Sequence, residues 1–395
     1  MMLSFWSSAT DPLKNLRTAE AKLVEYAKKF GDRDPDTVEI KVTDTPIPSE
    51  ALPLKHSKKN SNTDLYIHSI RVKSEDYLMT TNTRKKTTPL VLVHGYMNGA
   101  MYFYRNLVGL SNFFETVYSL DTLGCGLSSR CPNLLKSDAL DTSLETTESL
   151  FVESLEAWRK ANKIPKMILA GHSMGGYISV AYCEKYPQHV EQLVLISPAG
   201  VTQADPEQTR DFSDGKSWGR RISISGARWL FDYGVTPAGF LRTLPTSRGR
   251  SMIEGYIQNR LPSIKDPNEQ QILTDYLYSN TIVPGSGEDM LSRFLTSSAY
   301  GRVPTVDRIP NLLVAKVSFV YGDHDWMDIN GGLQVWKKAT MAQGPSVDVY
   351  KVQNAGHLLM LDNWRGFHAG LITVCGGSSM LNPRFPTPLR IHPIS

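Results

Sequence analysis

A serine flanked by glycines, Gly171-His172-Ser173-Met174-Gly175, follows an apolar run at 167–170 and precedes a stretch of helical character at 177–182. In that strand-turn-helix setting the pattern is a nucleophile elbow. The turn is tight, Ser173 takes a strained backbone conformation, and the small Gly171 and Gly175 let strand and helix approach closely. The hydroxyl then stands at the start of a helix, where the dipole favours developing negative charge. A serine hydroxyl is a weak nucleophile at neutral pH. It needs a base within hydrogen-bond reach and a third group to orient that base. Both occur further along the chain. Asn354-Ala355-Gly356-His357 follows the run 347–352, and Gly322-Asp323-His324-Asp325-Trp326 follows the run 317–321. His357 is assigned as general base. Asp325, lying past its turn, is assigned as the orienting acid, with Asp323 as runner-up. His324 reads as an exposed neighbour. The chemistry is acyl transfer through a covalent acyl-enzyme.

The tetrahedral intermediate of such a reaction needs donors for its oxyanion. The backbone N–H of Met174, next after the nucleophile, is one. The other belongs to His94-Gly95-Tyr96, after the run 90–93: Tyr96 N–H is the first choice and Met97 the second. Gly95 permits the tight turn, and His94 reads as a structural hydrogen-bonding residue at the loop base. The segment 121–130, Asp-Thr-Leu-Gly-Cys-Gly-Leu-Ser-Ser-Arg, suits a tight loop beside the pocket. Arg130 there meets a phosphate head group or, as is more usual, pairs with a carboxylate. His357 and Asp362 form a His-x-x-x-x-Asp pattern, an arrangement used by glycerolipid acyltransferases. A cap or salt bridge on the last helix is the plainer reading of Asp362.

These residues need a scaffold that brings strand ends together. Strand-like runs at 37–42 and 65–72 flank a polar, Pro- and Lys-rich loop at 44–63, and a basic turn at 84–86 leads into the run 90–93. Strand and helix patterns then alternate: strands at 117–120, 167–170 and 193–197, and an amphipathic helix at 144–163 with Leu144, Leu150, Leu155 and Trp158 towards a core. That alternation predicts an α/β fold, a mostly parallel central sheet flanked by helices. It breaks over 201–315 and resumes at 317–321 and 347–352. So long an interruption is too long for a loop and reads as a folded helical cap insertion over the C-terminal strand ends. The expected organisation is an N-terminal amphipathic extension (1–35), a core (36–200 and 316–380), the cap (201–315) and an irregular, Pro-rich tail (381–395). The extension carries Leu13, Leu16, Leu23 and Tyr26 at near-helical spacing. It packs on the core, or lies on a membrane with Phe5 and Trp6 as anchors.

Composition is that of a folded globular chain. In 395 residues, 41% are hydrophobic and 21% charged, and the net charge of +4 is a weak basic bias. No nucleic-acid motif is present, no run is long enough to span a bilayer, and the N-terminus has no signal-peptide core. The cysteines Cys125, Cys131, Cys183 and Cys375 lie in no metal spacing, so no metal or cofactor is expected, and a reducing compartment fits them best.

With these motifs in place, the chain resembles the α/β-hydrolase fold. More narrowly, it resembles the abhydrolase family of lipid-droplet lipase coactivators, the related N-acyl-phosphatidylethanolamine lysophospholipases, and their plant and fungal relatives. The resemblance covers about residues 60–200 and 316–370. It rests on His94-Gly95-Tyr96, Asp121-Thr122-Leu123-Gly124 with Ser128-Ser129-Arg130, Gly171 to Gly176, Tyr321 to Met327, and Gly356 to Asn363. It implies deacylation of glycerophospholipids, or acyl-CoA-dependent acylation of lysophosphatidic acid; a fungal mitochondrial branch deacylates cardiolipin. The animal coactivators have lost the serine, which this chain keeps.

The expected activity is therefore a serine lipid hydrolase acting on a glycerophospholipid or lysophospholipid. The alternatives are a lysophosphatidic acid acyltransferase using His357 and Asp362 with acyl-CoA as co-substrate, and a non-catalytic lipid-binding lipase activator. The partner is lipid, not nucleic acid. The expected location is cytoplasmic, peripheral on a lipid droplet or endomembrane, with the mitochondrion as the alternative. In the cap, Trp218, Trp229, Phe231, Tyr233, Phe240 and Tyr256 are expected to line an acyl channel, or else to form the insertion's core. Arg220, Arg221 and Arg228 are expected to face an anionic surface.

Overall fold

Short apolar strands rich in Val, Leu and Ile are stable only where both faces are covered, and this chain covers them with helices. The computed structural model describes residues 11–31, 37–53, 65–74, 86–130, 143–203, 236–284, 287, 290–296, 298–377 and 387–391. Within them one nine-stranded sheet runs in the order β1-β2-β4-β3-β5-β6-β7-β8-β9. The strands are β1 (Val38–Ile47), β2 (Leu65–Ser74), β3 (Leu90–Val93), β4 (Val117–Leu120), β5 (Met167–His172), β6 (Val190–Ile196), β7 (Lys316–Gly322), β8 (Ser346–Val352) and β9 (Leu389–Arg390). The block from β4 through β8 is parallel, and the strands beyond it pair antiparallel. The mostly parallel α/β sheet read from the alternation is the fold.

Residue parity along the strands splits the core in two. Leu90, Leu92, Ile168, Ala170, Val194 and Ile196 join one apolar cluster, and Val91, Val93, Met167, Leu169, Leu193 and Leu195 join the other. Successive side chains of a strand point to opposite faces, so each strand feeds both layers. The first cluster takes in α1 (Pro12–Ala27) through Leu16 and Leu23, and α2 (Tyr104–Leu110). The second takes in α3 (Leu144–Ala161) and α4 (Met174–Lys185). Trp158 on α3 is fully buried and donates its indole N–H to Ser69 Oγ at 3.3 Å. Between β6 and β7 the chain forms α5 (Pro237–Arg242), α6 (Thr246–Arg260) and α7 (Pro267–Ile282). After β7 come α8 (Ile329–Ala342), the short α9 (Leu359–Asp362) and α10 (Trp364–Val374). No helix among the described residues is long and apolar enough to cross a membrane.

Several boundaries differ from the sequence reading. β1 runs on through Ile47, into the stretch expected to be loop, because it pairs with β2 without a break from Val38↔Ser74 to Ile47↔Leu65. Pro46 is tolerated there since β1 is an edge strand. The tail expected to be irregular contributes β9, whose Leu389 and Arg390 pair with Lys351 and Tyr350. α3 stops at Ala161, before the positive φ of 54° at Lys163. Residues 1–10, Arg84, Lys85, Cys131 and the cap residues from Trp218 to Tyr233 lie outside the described residues, with the roles expected of them.

α1 shows how the N-terminal helix is held. Asp11 caps it, accepting from Leu13 N–H at 3.0 Å, and Pro12 opens its first turn. Its buried face rests on α7 and α2. Glu20 reaches the fully buried His68 of β2: His68 donates Nε2–H to the Glu20 carboxylate at 3.0 Å and Nδ1–H to Asp44 Oδ1 at 2.6 Å. Burial pushes the imidazole's pKa down, but the hydrogen bonds to Asp44 and Glu20 and the charges of Glu20 and Asp121 outweigh it and raise it to about 10. Glu20, His68 and Asp121 place ligand atoms within 4.8 Å of one another. An imidazolium with both nitrogens protonated has no lone pair for a metal, so this grouping is an ion cluster.

A pH dependence follows. His68 has a folded pKa of about 10 against an unfolded value near 6.5. Its contribution to stability is complete below the unfolded value and is lost as pH rises through the folded one. The melting-temperature gap between wild type and His68→Gln should therefore be widest at about pH 6 and shrink as pH rises towards about 10. A gap that widens as pH rises would contradict this.

Candidate active site

The sequence gives β5 a strand that must become a helix within one residue. Ser173 makes the change at φ 53°, ψ −118°, a conformation strained for a residue with a side chain. The reason is the closeness of the pieces. A Cβ on Gly171 would meet the Gly175 carbonyl oxygen at 2.3 Å, and one on Gly175 would meet the Val93 oxygen at 2.4 Å. Backbone hydrogen bonds lock the turn: Ser173 N–H donates to Ile196 O, and Ala199 and Gly176 N–H groups donate to Ser173 O. Met174 N–H opens the first turn of α4, where an amide has no intrahelical acceptor.

The acid and the base follow β7 and β8. His357 Nδ1 lies 3.1 Å from Asp325 Oδ1, and the Asp325 side chain is almost wholly buried. Since an ionised carboxylate only accepts, Nδ1 carries the proton and Nε2 presents a lone pair. Burial pushes the Asp325 carboxyl up, but the bond and charge of His357, the Met327 N–H and the Ser197 hydroxyl hold it below the usual carboxylate range. Among the described residues no hydrogen bond within 3.5 Å joins Ser173 Oγ to the His357 ring; such links commonly close only when substrate engages.

The loop after β3 stands beside the serine. A Cβ on Gly95 would touch Ser173 Cβ and His172 Nδ1, both at 3.0 Å, so glycine lets this loop pass the elbow closely. Met97 has φ 58°, and Asn98 N–H closes the turn onto Gly95 O. Tyr96 and Met174, the expected oxyanion donors, are thus on the two segments that meet at Ser173. His94 is buried, and burial lowers its pKa. It accepts from Thr122 N–H at Nε2 and so donates from Nδ1 to Gly95 O, a structural link between the β3 and β4 loops.

The profile of the α/β-hydrolase fold matches residues 88–363. An Arabidopsis thaliana protein named 1-acylglycerol-3-phosphate O-acyltransferase is 29% identical over 80% of this chain and 71% of its own length. A Bos taurus protein named (lyso)-N-acylphosphatidylethanolamine lipase is 30% identical over 73% of this chain and 79% of its own. Among solved structures, a Bacillus subtilis carboxylesterase superposes with a TM-score of 0.54 at 17% identity, covering 92% of this chain and 99% of that one. The chain belongs to the α/β-hydrolase fold family.

In this α/β-hydrolase the two acids that compete with Asp325 have other partners. Asp323 accepts from Asn354 and Ala355 N–H, both at 2.9 Å, and so ties the β7 turn to the loop that carries His357. Asp362 accepts from Gly356 N–H at 2.9 Å. The cap of α10 is Asn363, whose side chain accepts from Gly366 N–H. Asp362 is therefore not the cap, and among the described residues it makes no salt bridge: it accepts from the amide just before His357, not from the imidazole. Burial raises its pKa. The Arg130 guanidinium donates to the carbonyls of Pro284, Cys125, Ser128 and Gly126. Those bonds pin the β4 loop.

Other contributors have no sequence signature. His172 is buried and donates Nε2–H to the His357 carbonyl at 2.9 Å; burial and the neighbouring His357 push its pKa down to about 3, so it stays neutral. Asn280 of α7 donates Nδ2–H to the Met97 and Asn98 carbonyls, at 3.1 and 3.2 Å. The Asp121 carboxylate accepts from Ala100 and Leu127 N–H, both at 2.6 Å, joining the β3 and β4 loops. Trp326 lies with its ring centroid 4.9 Å from that of His357 and is more than half exposed, on the open side of the site.

These partners separate the acids experimentally. Asp325→Asn should leave the fold intact and lower turnover of an activated ester by roughly 10^3 to 10^4. Asp323→Ala removes an acceptor from two amides and should lower stability by about 1–3 kcal/mol, with a much smaller loss of turnover. Comparable turnover losses in both variants at equal melting temperature would overturn the distinction.

Proposed function

We propose that this protein is a serine lipid hydrolase that releases fatty acid from a glycerophospholipid or lysophospholipid. The observation that carries the reading is the strained Ser173 at the β5–α4 turn, with the His357–Asp325 pair and the Gly95–Met97 loop at the neighbouring strand ends. Ser173 Oγ attacks the ester carbonyl as His357 Nε2 takes its proton. Asp325 holds the imidazole by Nδ1 and stabilises the imidazolium. The oxyanion is met by the N–H groups of Met174 and Tyr96. The imidazolium protonates the departing glycerol oxygen, and water, deprotonated by His357, then releases the acid from Ser173. The names of the relatives support a lipid acyl ester as substrate, since both curated relatives described above are named for such lipids. A bilayer or lipid-droplet surface is where such a substrate resides. The intact Ser173 disfavours a purely lipid-binding role.

A second reading is acyl transfer from acyl-CoA to a lysophosphatidic acid, supported by the Arabidopsis relative's name. It begins with the same acyl-Ser173 and differs in the acceptor. The contact of Asp362 with Gly356 N–H, rather than with the His357 ring, favours one triad serving either acceptor over a separate His–Asp couple.

Ser173→Ala should lose fluorophosphonate labelling and lower ester turnover by about 10^4 to 10^6. A lipid panel run with and without acyl-CoA then separates hydrolysis from transfer. Labelling of the alanine protein at wild-type yield would overturn the assignment. Asp362→Ala should lower stability and reduce hydrolysis and transfer in the same proportion. Selective loss of transfer at unchanged melting temperature would instead make Asp362 a transfer residue.

A further inference from the structure

The described part of the insertion carries an outward row that the catalytic reading does not use. On α6, Arg248, Met252, Tyr256 and Arg260 recur every four residues, and all are exposed. Four-residue spacing sets them in a slanting row about 18 Å long at 1.5 Å per residue, turning through about 120°. The residues that follow the first three, Gly249, Ile253 and Ile257, lie about 100° round the helix and are buried, and the helix packs on α7. Beside the row, nothing lies within 4 Å of a Cβ built on Gly255. Met252 and Tyr256 are 49% and 41% exposed, and Phe240, on the short helix that abuts Gly249, is 53% exposed. The exposure of Phe240 corrects its expected place in the insertion's core, whereas Tyr256 turns its hydroxyl towards the buried Tyr102.

The charges on this face are of one sign. Arg250, on the flank, is neutralised by Asp275 at 2.6 Å and Glu254 at 3.4 Å. Arg248 and Arg260, at the two ends of the row, have no carboxylate within 4.0 Å among the described residues. Aromatic and thioether side chains between unneutralised arginines suit an interface with an apolar interior and anionic head groups. The row also borders the catalytic loop from behind. The Tyr256 hydroxyl lies against that of the buried Tyr102, and both sense the charge of Asp362, which holds Gly356 next to His357.

We propose that this face of α6, with Phe240, docks the protein on a bilayer containing anionic phospholipid. Its purpose rests on the lipid-hydrolase reading, since it would bring His357 and Ser173 to a substrate embedded in that bilayer. Arginines would lie at head-group level, with Phe240 and Met252 inserted among the acyl chains.

The test uses the full chain in co-sedimentation with phosphatidylcholine vesicles, with and without phosphatidic acid. Wild type should bind the mixed vesicles, less so at high salt, and bind the neutral ones weakly. The Arg248→Gln, Arg260→Gln double variant should lose on the order of tenfold or more in partitioning to mixed vesicles. Phe240→Ser with Met252→Ser should lose binding at any salt concentration. Both variants should keep wild-type turnover of a water-soluble aryl ester, which confirms folding, while turnover of bilayer-borne lipid falls. Ser173→Ala should bind as wild type. Wild-type partitioning by both double variants would overturn the proposal. So would a dimer in sedimentation velocity that Met252→Ser dissolves, with no vesicle binding by wild type, since the face would then belong to a second copy. Binding without lipid turnover would defeat the hydrolase reading and leave the docking face standing.

Discussion

The rest of the site depends on how close a helix can come to the strand before it. At the β5–α4 turn the chain reverses with no room for a Cβ at either glycine, and Ser173 absorbs the geometry in a positive φ. That conformation is held from both sides. Its N–H is fixed by β6 and its carbonyl by Ala199, so the strain cannot relax without breaking hydrogen bonds at the sheet's centre. The nucleophile is rigid because it is built into the packing of β3, β5 and β6 rather than carried on a free loop.

Around that fixed point, precision comes from carboxylates that grip backbone amides. Asp121, Asp323 and Asp362 each accept from N–H groups of a neighbouring loop, whereas Asp325 bonds the His357 ring. The acids look alike in sequence and differ only in what lies opposite. His172 adds a neutral donor to the His357 carbonyl. His357 is thus held by its ring, by its own carbonyl and by the amide before it, leaving Nε2 as the end that moves a proton. The insertion takes part as well: Asn280 grips the loop of the expected oxyanion donor, and Ser263 donates to the Leu361 carbonyl, just past His357, which Arg105 of α2 also meets.

The sheet and the order of Ser173, Asp325 and His357 were legible because each lies at the end of an apolar run and local pattern reports local structure. What pattern could not report is pairing across distance. β1 is longer than its composition suggests because β2 pairs with it, and β9 is two residues whose strand character exists only beside β8. The contact of Asp362 is another case. Its spacing from His357 invites a side-chain couple, whereas the geometry offers a backbone amide. His172 and Asn280 act on residues 185 and 183 positions away, and no motif marks such a partner.

The attachment of α1 has a consequence for synthesis. The helix is made well before α7, yet its tyrosine, Tyr26, donates to Asp266 at 2.6 Å across 240 positions of sequence, and its apolar face rests on α7. During translation the apolar face of α1 has only part of its native cover, from α2, until α7 has emerged. Docking of α1 is then a late and non-local event, of the kind that slows folding and leaves apolar surface open to chaperones in the interval. The amino-terminal helix is in effect the last tile of the insertion side, laid only after the segment it rests on exists.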